Sequence, residues 1–393
     1  MEAYYASSNI QLLNLLNLKV TIFSSCEGDL YITNNGKISP ELITLIQDAA
    51  IFRNINLINI KDILPKSYRN RSLFQKVLDS FIKRAYYYHQ ISSYAHGITY
   101  SRLIFNGFWM DGTYILLILA SQNPDLRISF IDEGVNSYNY SKKELCSTGG
   151  SGILGNLWYY FVFYSKFRKI SSYRKCVDDI FLYQPDLYVD KKNIVIKQLP
   201  IINDENPICL NILRKLSCNI DCTEYKRRNV YYFLQNQYNS PNEKKIIDEY
   251  LDILTQTIDP QQIIIKEHPG SIAGFFSQTQ YHNMTDLFID KRLYLFEATL
   301  LNIDINEKVF ISRDSSSLMY PKYMFDAEPF VILTYKLYPE YYTSNIEKMD
   351  SLSNGLISSY VKKERILIPT DMSEFKYMLE NIIKPFLSNV ENA

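Results

Sequence analysis

Short apolar runs alternate with stretches of helical periodicity along the chain, and this alternation restricts the fold more than any other feature. In the first half, strand-like runs lie at 3–8, 55–60, 98–105 and 127–131. Helical patterns begin at Asn9 and cover 73–88. Strands that alternate with helices are typical of βαβ units, in which the strands lie parallel in one sheet. The first half is therefore predicted to be a doubly wound α/β domain.

A second series of the same kind begins near Asn229. Its strand-like runs lie at 230–234, 262–266, 308–312, 330–334 and 365–368, and its helical patterns at 241–255 and 373–387. Between the two series, periodicity fades and Pro, Asn, Asp and Lys accumulate. We therefore predict an N-terminal domain at 1–195, a linker at 196–228 and a C-terminal domain at 229–393. Two such halves that face one another place a ligand at the carboxyl ends of their strands.

Charge and hydropathy exclude several other classes of protein. The chain has 42 Lys+Arg and 42 Asp+Glu in 393 residues, so it lacks the basic excess that nucleic-acid binding requires. Its longest strongly apolar stretch, 114–120, is far below the roughly 20 residues that span a bilayer. The first nine residues show no signal-peptide pattern. We therefore expect a cytoplasmic protein that binds no nucleic acid.

The cysteines and tyrosines add two further expectations. Six scattered cysteines and four histidines make a zinc site improbable, so reduced thiols are expected. The 33 tyrosines are unusually many. Rings that carry a hydroxyl suit sugars, interfaces or lipid headgroups as well as a core, and we expect them to line the cleft.

An acidic pair follows the predicted strand 127–131. Asp132 and Glu133 precede Gly134 at the point where the strand ends. Burial at a strand end raises the pKa of a carboxyl and makes it a usable general base near neutral pH. The alternative is a hydrated turn, since Asp and Gly both favour turns.

A basic and imidazole-bearing cluster follows the strand 262–266. Lys266 and His268 lie two residues apart, which places them on the same face of an extended chain, and Pro269 fixes the chain direction. Both side chains are suited to hold a phosphate oxygen. A buried histidine with a purely structural role is the alternative.

A third cluster and one isolated acid complete the set. Ser315, Ser316 and Ser317 stand at a predicted helix start, where hydroxyls and free N–H groups bind an anion or simply cap the helix. Glu297 lies in the apolar segment 293–301, where it either accepts hydrogen bonds from ribose hydroxyls or faces solvent on an amphipathic helix. The P-loop, G-x-S-x-G and H-E-x-x-H motifs are absent from the chain, as is a D-x-D metal motif.

Taken in order, these clusters resemble the motifs of the bacterial sialyltransferases with the GT-B fold, which include lipooligosaccharide sialyltransferases and capsular polysialyltransferases. The acidic motif is Asp132-Glu133-Gly134, the HP motif is His268-Pro269 and the serine motif is Ser315-Ser316-Ser317. Lys266 and Glu297 fall where similar enzymes keep CMP-binding residues.

The resemblance implies two Rossmann-like domains that face a central cleft, and inverting transfer of sialic acid from CMP-sialic acid to a glycan hydroxyl. It implies no metal and no other cofactor. By this analogy Asp132 deprotonates the acceptor, although Glu133 stands where many relatives have Asp and leaves the choice of base open. His268 then stabilises or protonates the CMP phosphate, the serine motif holds the same phosphate, and Glu297 holds the ribose.

The stretch 158–175 combines aromatic and basic side chains. Such a segment suits the inner face of a membrane, where rings reach headgroup depth and cations meet anionic lipid. The resemblance implies a lipid-linked glycan acceptor from a capsule or lipooligosaccharide, in keeping with such a contact. A buried helix with a basic end, or a contact within a homodimer, is the alternative.

Two other functions stay open. A GT-B transferase that uses CMP-Kdo or a UDP-hexose fits the same phosphate and ribose contacts. A non-catalytic protein of glycan assembly that kept the fold is the other alternative.

Overall fold

The computed structural model describes residues 1–34, 38–59, 72–106, 110–139, 177–188, 194–235, 241–268, 276, 279–292, 294–339 and 346–391. The chain separates into two compact units, Met1–Ile212 and Leu213–Ala393. The stretch 196–228, predicted as a linker, contains the end of a strand and the helices Pro207–Cys218 and Thr223–Arg227. The first of these helices crosses the boundary between the units.

The first unit is built on a parallel sheet. Its strands are β1 (Glu2–Ala6), β2 (Gly28–Asn34), β3 (Asn54–Asn59), β4 (Arg102–Phe105), β5 (Arg127–Ile131), β6 (Val177–Leu182) and β7 (Val195–Gln198). In the described part of this unit they form one seven-stranded sheet, ordered β3-β2-β1-β4-β5-β6-β7, with parallel neighbours throughout. The order reverses between β1 and β4, so the switch point of the fold lies there.

Helices connect these strands as the βαβ pattern requires. They are α1 (Asn9–Thr21), α2 (Pro40–Asp48), α3 (Leu73–Tyr94), α4 (Met110–Gln122) and α5 (Val135–Asn139), with a 3₁₀ turn at Pro185–Leu187. Three starts are capped by serine: the hydroxyls of Ser8, Ser39 and Ser72 accept N–H groups of the first turns of α1, α2 and α3. These caps fix the direction in which each helix leaves its strand.

Gly28 begins β2 at a position where a larger residue does not fit. A Cβ atom there would lie 2.5 Å from Cε2 of the buried Tyr4 and 3.2 Å from the Glu2 carbonyl oxygen. We expect Gly28→Ala to lower the free energy of unfolding by about 1–3 kcal/mol, because overpacking a core displaces its neighbours. Urea unfolding measures the loss, which should shrink when Tyr4 is also replaced by Ala. Equal losses in both backgrounds would contradict the contact.

The second unit repeats the architecture with a smaller sheet. Its strands are β8 (Val230–Phe233), β9 (Ile263–Lys266), β10 (Phe288–Asp290), β11 (Val309–Ser312), β12 (Phe330–Leu333) and β13 (Ile366–Leu367). Within its described residues they form one parallel sheet, ordered β10-β9-β8-β11-β12-β13. The order reverses between β8 and β11, which is the switch point of this unit. The prediction of two Rossmann-like parallel α/β domains is confirmed.

Helices alternate with the strands of the second unit and also follow its last strand. The longer ones are Pro241–Thr257, Ile346–Ser359 and the terminal pair Met372–Met378 and Lys384–Glu391, which a π-helical turn at Leu379–Ile383 joins. Shorter ones are Phe296–Thr299 and Tyr320–Phe325, and 3₁₀ turns lie at Pro260–Gln262, Leu300–Asn302, Ile305–Glu307, Ser316–Leu318 and Lys363–Arg365. Alternate residues of the central strands, such as Ile263, Ile265 and Ile311, pack with Leu251 and Leu254 in one buried cluster.

The tyrosine surplus belongs largely to the core. At least twelve of the described tyrosines are less than 2% exposed, including Tyr31, Tyr100, Tyr138, Tyr225 and Tyr231. The expectation that tyrosines line the binding surface is wrong for these. Several of their hydroxyls bond to buried partners, as Tyr100 does with Asp29 at 2.6 Å, which lets a polar ring fill an interior.

Candidate functional site

The acidic pair lies at the carboxyl edge of the first sheet. Asp132 follows β5 directly and is fully buried, and its N–H donates to the Phe181 carbonyl at 2.9 Å, which extends the pairing of β5 with β6. Glu133 is half-buried. Gly134 has a φ of 115°, a region that favours glycine. The backbone therefore turns sharply after Asp132 and leads into α5.

The Asp132 carboxylate accepts hydrogen bonds from Gly134, Tyr138 and Tyr183, all in its own unit. Oδ1 accepts the Gly134 N–H at 2.7 Å, and Oδ2 accepts the Tyr138 hydroxyl and, at 3.4 Å, the Tyr183 N–H. Asn14 of α1 donates to the Asp132 carbonyl oxygen at 2.7 Å and accepts the Tyr183 hydroxyl at 3.0 Å. The residues Asn14, Asp132, Tyr138 and Tyr183 thus form one buried polar network.

Glu133 differs from Asp132 in its surroundings. Its N–H donates to the Ser137 hydroxyl at 2.8 Å, in the first turn of α5. Its side chain is partly open to solvent, whereas that of Asp132 is enclosed. Of the two acids, Asp132 has a carboxylate held in a fixed orientation, and Glu133 has a side chain that solvent can reach.

The serine motif follows β11, next to the switch point of the second sheet. Ser312 ends this strand, and its buried hydroxyl donates to the Phe233 carbonyl and accepts Nε2 of Gln235, each at 2.8 Å. This pair of contacts ties the ends of β8 and β11 together. Beyond it, the Ser315 hydroxyl caps the Ser317 N–H at 3.3 Å, and residues 313–317 are all partly exposed. The three serines therefore stand open at the carboxyl edge.

The predicted phosphate cluster follows β9, on the other side of β8. Lys266 is buried, while Glu267 and His268 are partly exposed. The Glu267 N–H donates to the Asp290 carbonyl oxygen at 3.1 Å, which holds the chain against β10 as it leaves the sheet. His268 therefore lies at the same edge as the serine motif, one strand beyond β8. Pro269 lies outside the described residues.

Lys266 is held by a network around Asp290. Its Nζ donates to the Arg292 carbonyl at 2.6 Å and lies 3.4 Å from Oδ2 of Asp290. Asp290 also accepts Nε of Arg292 at 2.8 Å and the hydroxyls of Tyr225 and Tyr294 at 2.5 Å. Burial raises the pKa of Asp290, but these donors and the Lys266 charge outweigh it and bring the pKa to about 2. Burial lowers the pKa of Lys266 against the pull of Asp290.

Glu297 lies in the short helix Phe296–Thr299, beyond β10. It is 6% exposed, and burial raises the pKa of its carboxyl to about 7, against the smaller opposing effects of a backbone hydrogen bond and of the Lys266 charge. A carboxyl with this pKa changes its charge near neutral pH. The interpretation of Glu297 as a solvent-facing side chain is wrong, because the helix buries it.

The structure thus brings the predicted residues together in two sets. Asp132 and Glu133 are neighbours in the first unit. In the second unit, Lys266 interacts electrostatically with Glu297, while the His268 and serine clusters follow the two strands that flank β8. The stretch 158–175 lies outside the described residues.

The described part of the chain has neither a metal-binding cluster nor a helix that could span a membrane. Among those residues, no group of three or more His, Cys, Asp or Glu side chains is arranged to hold a metal ion. Within the same ranges, every helix is too short or too polar to cross a membrane. The described cysteines, Cys26, Cys209, Cys218 and Cys222, are free thiols.

Comparison with known proteins adds the fold and no closer relation. No family model and no curated protein matches the chain. A UDP-GlcNAc 2-epimerase from Methanocaldococcus jannaschii aligns with a TM-score of 0.51 at 9% identity, covering 98% of this chain and 93% of its own. The glycotransferase of kitacinnamycin gives 0.51 at 8%, covering 100% and 93%. The fold is GT-B.

A third GT-B neighbour was solved with a ligand. The UDP-GlcNAc 2-epimerase from Neisseria meningitidis, bound to UDP-GlcNAc, aligns with a TM-score of 0.50 at 10% identity and covers 100% of both chains. Two of these three neighbours are UDP-GlcNAc 2-epimerases, and the third is a glycotransferase. At such identities the likeness establishes the fold alone.

Several residues of this GT-B chain escaped the sequence reasoning. Tyr138 and Tyr183 bind the Asp132 carboxylate, and Asp290 and Arg292 hold Lys266. Asp290 ends the three-residue strand β10, which is too short for a periodicity argument. An acid that closes an apolar run, as in Phe288-Ile289-Asp290, is the signal that would have found it.

Proposed function

We propose that this chain is an inverting glycosyltransferase that moves sialic acid from CMP-sialic acid to a hydroxyl of a bacterial surface glycan. The observation that carries the proposal is the placement of its polar clusters. Each follows a parallel strand directly, after β5 in one unit and after β9 and β11 in the other. Carboxyl edges of parallel sheets are where α/β proteins bind ligands.

In the first unit, Asp132 takes the proton of the acceptor hydroxyl. Its carboxylate is held in one orientation by Gly134, Tyr138 and Tyr183, and a fixed orientation favours proton transfer. Hydrogen bonds around a base often rearrange when substrate binds, so enclosure in the free protein is compatible with this role. Glu133 is the accessible neighbour and the alternative base.

In the second unit, His268 and the serine motif receive the CMP phosphate. The serine motif follows β11 at the switch point, where nucleotides bind in doubly wound sheets, and His268 follows β9, on the other side of β8. Hydroxyl and imidazole donors aimed at the departing phosphate stabilise its charge without a metal. The Lys266 ammonium is engaged by Asp290 and Arg292, so we assign it to orienting this edge while its charge adds to the positive potential there.

The direct test is release of CMP from CMP-sialic acid, with and without lactose as acceptor, before and after treatment with EDTA. We expect release in both cases, faster with acceptor, and no effect of EDTA. Loss of activity with EDTA, restored by Mg²⁺, would refute the metal-independent mechanism. CMP release by His268→Ala at the wild-type rate would favour a non-catalytic role in glycan assembly.

A transferase that uses a uridine nucleotide sugar is the second candidate. It is favoured by the fold neighbours, since the M. jannaschii epimerase was solved in complex with UDP-GlcNAc and UDP. Thermal shifts with CMP, UDP and GDP separate the two candidates, because a nucleotide that binds the folded protein raises its melting temperature. A larger shift with UDP than with CMP would decide for this candidate.

Glu297 gives the nucleotide site a pH dependence. We propose that its carboxylate accepts the ribose hydroxyls, and charged acceptors form the stronger bonds. Since the pKa of Glu297 is about 7, affinity for cytidine should rise as pH increases through 7. Cytidine is the probe because it has no phosphate, whose own titration would contribute to the pH dependence.

Calorimetry between pH 5.5 and 8.5 measures this dependence, and Glu297→Gln should bind weakly with a flat profile. A wild-type profile as flat as that of the variant would remove Glu297 from the ribose site.

The membrane contact through 158–175, the lipid-linked acceptor, the homodimer and the location at the inner face of the cytoplasmic membrane stay predictions. Flotation with anionic vesicles tests the first of them. Binding to vesicles that contain phosphatidylglycerol, but not to vesicles of phosphatidylcholine alone, is the expected result.

A further inference from the structure

Asn106 stands out among the buried polar side chains of the first unit. It follows β4 directly and is 7% exposed. Neither its Nδ2 nor its Oδ1 has a hydrogen-bond partner in the part of the chain that the structure describes. A buried amide that leaves both its donor and its acceptor unused destabilises the fold, so such a group calls for an explanation.

Three other buried asparagines of this unit, Asn14, Asn17 and Asn123, have partners for both the nitrogen and the oxygen of the side-chain amide. Asn123 accepts the Tyr100 N–H and donates to the Leu119 carbonyl, each at 2.7 Å. Asn14 and Asn17 likewise donate and accept within 3.3 Å. The side-chain amides of these asparagines therefore have hydrogen-bond partners within the fold, whereas that of Asn106 has none among the described residues.

The position of Asn106 supplies a reason. Phe105 of β4 is paired with Phe130 of β5, so Asn106 is level with Ile131, the residue before Asp132. On its other side, Tyr4 of β1 is paired with Ile104, so Asn106 is also level with Ala6. Neighbouring strands lie about 4.8 Å apart. Asn106 thus occupies the switch point of the first sheet, one strand from the acidic pair.

Helix α1 adds a second polar element at the same edge. It begins at Asn9, three residues beyond Ala6, and runs for 13 residues. Its cap Ser8 binds the Gln11 N–H, while the Ser7 N–H and hydroxyl both donate to the Gln11 side chain. The helix start therefore follows β1 and the unused amide follows β4, the two strands that flank the switch point, where doubly wound sheets bind their ligands.

We propose that Asn106 binds the hydroxyl groups of a neutral sugar at this edge. A side-chain amide carries a donor and an acceptor side by side, which matches hydroxyls that both donate and accept. An anion would leave the Oδ1 acceptor unused, so the amide selects a neutral sugar. The inference rests on the proposed function, because it places the acceptor sugar beside Asp132 and makes Asn106 a residue that determines acceptor binding.

The first experiment compares Asn106→Leu with Asn123→Leu in the absence of any ligand. Leucine has a similar shape and no polar group. We expect Asn106→Leu to raise the thermal midpoint by about 2–4 °C, since it removes an unsatisfied amide. Asn123→Leu breaks two hydrogen bonds and should lower the midpoint. Destabilisation by Asn106→Leu would overturn the proposal, because it would show that the amide supports the fold.

The second experiment measures sugar binding by saturation-transfer NMR with lactose, galactose, glucose and N-acetylglucosamine. The wild type should contact at least one of them, and Asn106→Leu should weaken that contact at least tenfold. Asn106→Asp, which keeps the shape but exchanges the donor for a charge, should weaken it as well. A wild type that contacts none of the four sugars, or a variant that binds as tightly as the wild type, would overturn the proposal.

Kinetics separate this inference from the proposed function. In Asn106→Leu the KM for the acceptor should rise at least tenfold, while the KM for CMP-sialic acid and its hydrolysis without acceptor stay unchanged. Sugar contact that depends on Asn106, in a protein inert toward CMP-sialic acid, would refute the donor and leave the sugar site standing. A rise in the donor KM instead would place Asn106 outside the acceptor site and refute the inference.

Discussion

Asp132→Asn is expected to slow sialic acid transfer by about 10²- to 10⁴-fold, the usual contribution of a general base. The amide cannot take the acceptor proton, although it is nearly isosteric with the carboxylate. The Nδ2 that replaces one carboxylate oxygen is a donor only, so either the Gly134 N–H or the Tyr138 hydroxyl, which now donate to the two different oxygens, loses its acceptor. Initial rates with CMP-sialic acid and lactose measure the effect, and circular dichroism monitors the fold.

Two further variants separate proton transfer from support of the turn. Tyr138→Phe removes one donor to Asp132 and leaves the carboxylate in place, so it should cost much less than Asp132→Asn. Glu133→Gln keeps the accessible side chain polar and should retain most activity. If Glu133→Gln loses the activity and Asp132→Asn keeps it, the roles of the two acids are reversed. Transfer at wild-type rates by the double variant would remove both from the mechanism.

The fold class was predictable because apolar periodicity reports burial directly. Arg127–Ile131 has the predicted bounds, and α1 starts at the predicted Asn9. Four strands escaped prediction for local reasons. Gly28–Asn34 carries Gly, Asp and Asn among its apolar residues, Val177–Leu182 contains Asp178 and Asp179, Val195–Gln198 is an exposed edge strand, and β10 has three residues.

The site was predictable only as far as single strands determine it. The placement of Asp132, His268 and Ser315 after strands was predictable because the sequence reveals those strands. The partners of Asp132 and Lys266 were not predictable, because Asn14, Tyr183 and Arg292 reach these two residues from other elements. Asn106 was missed because its neighbours in the sequence are ordinary, and only burial without a partner distinguishes it.

The contacts between buried charged residues of the first sheet were likewise not predictable from the sequence. Asp179 of β6 is enclosed, and it accepts Nη1 of Arg102 at 2.7 and 2.9 Å, Nζ of Lys197 at 2.8 Å and the Ser129 hydroxyl. Arg102 is also buried, whereas Lys197 is partly exposed. These four residues come from four adjacent strands, β4 to β7. Sequence alone gives no indication that they meet.

Asp179→Asn is expected to lower the free energy of unfolding of the first unit by about 3–5 kcal/mol at pH 7, because it leaves the buried Arg102 guanidinium without a counter-charge. Urea unfolding measures the loss. Asp178→Asn is the matched control: Asp178 is the adjacent acid, and it pairs at 3.7 Å with Arg127, whose side chain is 55% exposed. An exposed pair of this kind contributes about 0–1 kcal/mol, so the control should remain close to wild type.

Two further measurements test the cause of that loss. Burial raises the pKa of Asp179, but Lys197, Ser129 and Arg102 outweigh it and leave the pKa below its usual value. The stability from this ionisation is therefore complete above the unfolded pKa of about 3.9 and disappears as pH falls through the lower folded value. The difference between wild type and Asp179→Asn should shrink accordingly in acid.

Replacing the ion pair with Arg102→Met and Asp179→Leu together should recover much of the stability, since an apolar pair of similar volume avoids the desolvation of both charges. Additive losses in this double variant would show that packing, and not the unpaired charge, sets the effect.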